Sequence, residues 1–148
     1  MITAKQMNIS YVRFSRKLIQ MLDYRVMKEF AFERLAVWQE SRELASFIYN
    51  LTNTFPKSEL YGITNQIRRC SISVPSNIAE STGRRHPKEK KQFISIAYSS
   101  LIELLNQAIL AQDFGYITEQ DLNTKIRPLV HRISYKLSRL QQSLNSNA

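Results

Sequence analysis

The chain has 148 residues, a 43% apolar share and a net charge of +9, enough for one domain burying very roughly two-thirds of its unfolded surface. Three glycines and four prolines disfavour an all-β fold, which needs turn residues about every 8–12 positions. The single cysteine, Cys70, excludes an internal disulfide and a cysteine-based zinc site. A sequence pI near 9.9 favours polyanionic partners, nucleic acid first and acidic membrane second.

Residues 1–26 read differently from the rest. Tyr11, Phe14, Leu18, Leu22 and Val26 recur at helical spacing, so the segment is expected as a basic N-terminal extension, either an amphipathic helix or disordered. Five cations, Lys5, Arg13, Arg16, Lys17 and Arg25, against Asp23 give it nearly half of the excess charge. Arg13, Arg16, Lys17 and Gln20 interrupt any signal-peptide core. No apolar run approaches the roughly 20 residues that cross a bilayer. The expected location is the cytoplasm, with no membrane partner.

Residues 27–148 are expected as an antiparallel up-down four-helix bundle, all-α, with a kinked second helix. In the first helix Val37, Trp38, Leu44, Ala45, Ile48, Leu51, Thr52 and Phe55 form one stripe, and Phe55-Pro56 ends it. The second begins near Tyr61 and keeps Ile63, Ile67, Cys70 and Val74 on one face. Pro75 removes a backbone hydrogen bond and predicts the kink; Ile78 and Ala79 resume the stripe, and Gly83 reads as the left-handed residue beyond the helix. Pro87 suits the first turn of the third helix. That helix carries Phe93, Ile94, Ala97, Leu101, Leu104, Leu105, Ala108 and Ile109, a stripe too wide for one neighbour, and stops at Gly115. Thr118 reads as the N-cap of the fourth helix, with Glu119 and Asp121 in its first turn. Leu122, Ile126, Leu129, Ile133, Leu137, Leu140 and Leu144 follow, and Pro128 predicts a bend. Short connections favour antiparallel neighbours.

Catalytic and metal motifs are missing. A di-iron bundle needs Glu-x-x-His pairs, yet Gly83 and Pro128 stand three residues before His86 and His131. No Gly-x-Ser-x-Gly elbow, phosphate loop or dinucleotide fingerprint occurs. Cys70 reads as a small core residue, His86 as a cap or loop residue and His131 as a partly exposed helical one. No enzyme activity and no cofactor are expected.

Two basic groupings remain. Arg84, Arg85, His86, Lys88, Lys90 and Lys91 surround the connection between helices two and three; they read as phosphate contacts or as a solvated helix start. The three lysines oppose the dipole of that helix, which suggests charge kept for a partner. Arg68 and Arg69 read as nucleic-acid contacts or, the favoured role, as structural pairs with Glu80 or Glu103.

The segments Phe32–Gln39, Phe55-Pro56-Lys57, Tyr61-Gly62 and Gln66–Cys70 resemble the bacterial four helix bundle proteins. Ser73–Glu80 with Gly83-Arg84-Arg85 is the most specific match, and Ser100-Leu101, Glu103-Leu104, Gln107 and Asp113–Tyr116 fit the same pattern. That family includes the proteins encoded by intervening sequences in bacterial 23S rRNA genes. It is similar to the accessory variability protein of diversity-generating retroelements. The resemblance spans about residues 27–144 and implies an antiparallel bundle assembled as a homopentamer. For the retroelement relatives it implies binding to a reverse transcriptase and to nucleic acid through basic surface. Ser81 stands where the family usually has glycine, Leu105 where glutamate is common, and His86-Pro87 where a serine cap is usual. In the shared motif, Asn77 and Glu80 read as buried or interfacial hydrogen-bonding groups. The expected function is a non-enzymatic oligomeric scaffold associated with nucleic acid, RNA favoured, or with a reverse transcriptase–nucleic acid complex. The alternative is a protein–protein adaptor whose basic surface docks an acidic partner.

Overall fold

A computed structural model describes residues 29–145. The expected extension over residues 1–26, and its boundary with the bundle, lie outside the described residues. From Ala31 on, the chain forms one compact unit.

Four long helices build that unit: α1 (Ala36–Leu51), α2 (Ile63–Gly83), α3 (Pro87–Asp113) and α4 (Arg127–Ser143). Among the described residues there is no strand. Each helix packs on the next in chain order, and α4 returns to α1, so the four close a ring around one core. Val37, Leu44 and Ile48 of α1 meet Ile67, Val74 and Ile78 of α2 there, with Leu101 and Leu104 of α3 and Ile133 and Leu137 of α4. The helical apolar period thus becomes a continuous dry interior. Outside it, Glu40 of α1 pairs with Lys136 and, at 3.4 Å, with Arg132, tying α1 to α4.

The connections follow local chemistry. The first helix tightens at Leu51 into a 3-10 turn, Thr52–Thr54, and Phe55 before Pro56 is extended (ψ 151°). A second 3-10 turn, Lys57–Glu59, leads to α2, which starts at Ile63, two residues later than expected. Glu59 Oε2 accepts the Ile63 N–H at 3.3 Å and caps that helix. The expectation for Gly83 is corrected, because Gly83 is the last helical residue and its φ is not positive. Gly115, with φ +75°, is the left-handed stop of α3. Thr118 Oγ1 accepts the Asp121 N–H at 3.0 Å as the expected N-cap.

Both interior prolines are accommodated. The second helix runs through Pro75, where side chains gather on the nearby carbonyls: Ser76 Oγ donates to Ile72 O and Asn77 Nδ2 to Ser73 O, each at 2.8 Å. Before α4, a single turn Glu119–Asp121 widens into a π-turn, Leu122–Ile126, so that Pro128 falls in the first turn of a new α-helical stretch. The third helix also corrects the reading of the apolar runs. With 27 residues and a window of mean hydropathy 1.4, it is long and apolar enough to cross a bilayer by composition alone. Its buried stripe, Ile94, Ala97, Leu101, Leu104 and Ala108, lies in the bundle core.

Candidate nucleic-acid interface

Arg68 and Arg69 are adjacent on α2, about 100° apart around its axis, and this separates their roles. Arg68 turns toward the end of α1. Its Nε donates to Thr52 Oγ1 at 2.7 Å, its Nη2 donates to Asn53 Oδ1 at 3.0 Å, and its guanidinium lies 4.9 Å from the centre of the Tyr49 ring. The structural role expected for it holds, but the expected partners are wrong. Glu80 lies twelve residues, more than three turns, further along α2, and Glu103 lies in the α2–α3 groove beside Arg69 and Cys70, while the bend at residues 52–54 brings uncharged acceptors within reach of Arg68. Arg69 is exposed, and among the described residues it has no ion pair.

The 84–91 cluster is not one patch. Arg84 is held by an ion pair with Glu80 one turn back and by the Phe93 ring, 4.6 Å away. Glu80 is therefore an exposed partner of Arg84 rather than a buried group. Arg85, His86 and Lys88 are exposed, whereas Lys90 and Lys91 are half-buried. Successive positions turn by about 100°, so Lys88 and Lys91 flank one side of α3 and Lys90 points elsewhere. His86 takes the N-cap position without a side-chain cap, and its carbonyl accepts the Lys90 N–H at 3.1 Å. Among the described residues Arg85, Lys88, Lys90 and Lys91 have no ion pair.

A feature that sequence reasoning missed lies where α1 ends and α2 begins. Tyr49, Tyr61, Thr64, Arg68, Arg69 and Ile72 line most of an open cleft of about 370 Å³. The signal was Tyr61, an aromatic residue placed beside a glycine turn rather than on an apolar stripe. Along the neighbouring α2–α3 groove, Cys70 is buried beside Glu103. Burial pushes its thiol up to about 12, and the Glu103 carboxylate adds to the rise against a smaller opposing effect of Arg69. Such a thiol is neutral and inert, as a core residue should be. Among the described residues no three His, Cys, Asp or Glu side chains gather as metal ligands.

The model of one protein family, the 23S rRNA-intervening sequence protein family, matches residues 33–139, from the 3-10 turn before α1 almost to the end of α4. The chain belongs to this family. No curated protein matches it. The departures from the family pattern have local accounts. Ser81, in place of glycine, is buried and returns its hydroxyl to Ile78 O at 2.7 Å. Leu105, in place of glutamate, is half-buried against the core. At the start of α3, Pro87 presets the helix where His86 supplies no side-chain cap. Within the family motif, Asn77 is half-buried and bonds both Ser73 O and, at 3.1 Å, Ser73 Oγ. Ser73 Oγ in turn lies 2.8 Å from Ser100 Oγ of α3. This chain of polar groups fixes α2 against α3 and is a structural device.

Proposed function

We propose that this member of the family is a non-enzymatic, homo-oligomeric scaffold that associates with nucleic acid, RNA first, in the cytoplasm. It acts alone on RNA or within a reverse transcriptase–nucleic acid complex. The observation carrying this reading is the set of cations at the α2–α3 connection without an acidic partner among the described residues: Arg85, Lys88 and Lys91, with Lys90 on another side of α3. Forked guanidinium and point-like ammonium donors suit phosphate oxygens. The net charge of +9 supplies long-range attraction to a polyanion. Arg84 is a lesser contributor, since a phosphate has to compete with Glu80 for it. The homopentamer that the family resemblance implies would repeat each cluster five times around a ring and add avidity.

The test is binding of the full-length protein to a structured RNA across a salt series. Three phosphate contacts per protomer correspond to a log–log slope of about −2.1 to −2.7, or roughly a twenty- to forty-fold loss for a fourfold rise in salt. Replacing Arg85, Lys88 and Lys91 by glutamine should flatten the measured slope by that amount while the helicity stays the same. An unchanged slope would reduce the cluster to a solvated helix start. If the native protein binds no nucleic acid at low salt, a basic surface that docks an acidic protein becomes the better reading.

A further inference from the structure

We infer that the cleft between the end of α1 and the start of α2 binds one unpaired nucleotide, with its base on the Tyr61 ring and its phosphate on Arg69. This rests on the nucleic-acid reading above and adds a second, chemically distinct contact to it. Tyr61 is 88% exposed and has no ring contact among the described residues. A large aromatic face held in water beside a helix start has no role in the core, but it is a stacking platform. Another part of the lining is already assembled. Arg68, fixed by Thr52 and Asn53, lies over Tyr49, so a rigid guanidinium–phenol pair faces the cleft without losing further side-chain freedom on binding.

The charge around the cleft selects the ligand. Two guanidiniums line it and no carboxylate does. The nearest acid in sequence, Glu59, is engaged with the Ile63 N–H and with the Tyr116 hydroxyl, each at 3.3 Å. At the floor, Thr64 is 3% exposed, and its buried Oγ1 has no hydrogen-bond partner. Aromatic face and unpaired guanidinium match a nucleotide better than an apolar peptide, which would offer Arg69 no anion. The base must be unpaired, because only a splayed base offers its face to a side chain.

The test uses the full-length protein and fluorescence anisotropy with two probes, an oligouridine of about twelve nucleotides and an RNA duplex of similar length. Stacking is insensitive to salt and phosphate contact is not, so the two parts of the site separate. Tyr61→Ala should weaken oligouridine binding about five- to a hundred-and-fifty-fold and leave the salt slope and duplex affinity unchanged. Tyr61→Phe should retain binding. Arg69→Gln should flatten the oligouridine slope by about 0.7. Equal binding by the native protein and Tyr61→Ala would overturn this site and leave the basic-cluster reading standing. Loss of assembly mass in Tyr61→Ala would make the ring part of a subunit contact and also overturn it. If the native protein binds neither probe at low salt, both readings fall together.

Discussion

Arg68, Arg69 and Cys70 are consecutive, yet each meets a different environment, because every step along α2 turns the side chain by about 100°. Arg68 makes two charge-assisted hydrogen bonds and a ring contact across the α1–α2 corner. Its truncation to alanine should cost about 1–2 kcal/mol, discounted because the site is partly solvated. A urea midpoint measures this, and Arg68→Lys should recover little, since a point charge cannot span both acceptors. Cys70 allows a sharper check. In the unfolded chain the thiol ionises near its ordinary value of 9.0, in the folded chain only at about 12. Below pH 9 both states are protonated and the stability is intact. As the pH climbs from 9 toward 12, the unfolded state alone loses the proton, so stability falls by at most ~1.4 kcal/mol per pH unit. Comparing Cys70→Ala with the native protein isolates this fall from the titration of lysines and tyrosines. Alkylation of the native thiol at pH 8 should be slower than that of an ordinary cysteine by on the order of a thousandfold.

Element boundaries were legible where one residue carries its own signal. At the end of α3, Gly115 N donates to Gln112 O at 2.9 Å and Tyr116 N to Ala111 O at 2.8 Å, the paired bonds of a Schellman motif. A Cβ at Gly115 would meet nothing within 4 Å, so only backbone strain opposes a side chain there. Gly115→Ala should therefore cost about 1 kcal/mol, with Gly115→Asn milder, as read from the thermal midpoint. Gly83 misled because a glycine near a helix end need not be left-handed; Arg84 turns out of the helix in extended geometry instead. The π-turn at Leu122–Ile126 has no local signature. It follows from fitting Pro128 while Leu122, Ile126 and Leu129 all stay in the core. The four stripes were legible because burial obeys the helical period, although Ser41, Ser71 and Ser100 joined the interior unannounced. Their small size lets helices approach, and Ser41 and Ser71 return their hydroxyls to backbone carbonyls. The site was less legible. Charge density marked residues 84–91 but not the capture of Arg84 by Glu80 and Phe93. The cleft joins Tyr49 to residues 61–72 through a turn whose path only the folded chain defines.

The whole molecule leaves apolar surface for which the bundle has no use. Tyr98 and Ile102 of α3 are 40% and 44% exposed, and with half-buried Leu105 and Ile109 they recur at positions i, i+4, i+7 and i+11 of one helix edge. Ser100 meets Ser73 of α2, and Ile102, two residues on, lies about 200° around the axis, away from that contact. The edge therefore faces away from the α1–α2 cleft. An aromatic and aliphatic strip of this kind suits a contact with a second copy. Strip against strip would give a twofold dimer, whereas the strip against a different face of the next copy is the head-to-tail contact that closes into a ring, and the two differ in mass. Light scattering behind gel filtration should give about five times the chain mass of 17.3 kDa at micromolar concentration. Ile102→Glu should yield a monomer of unchanged helicity, since a carboxylate buried in an apolar contact has no partner there. A monomeric native protein would remove the proposed ring and with it the proposed avidity for RNA. An Ile102→Glu variant that still assembles would move the contact to another face. If the variant is monomeric but binds short oligouridine like the native protein, the cleft works within one protomer.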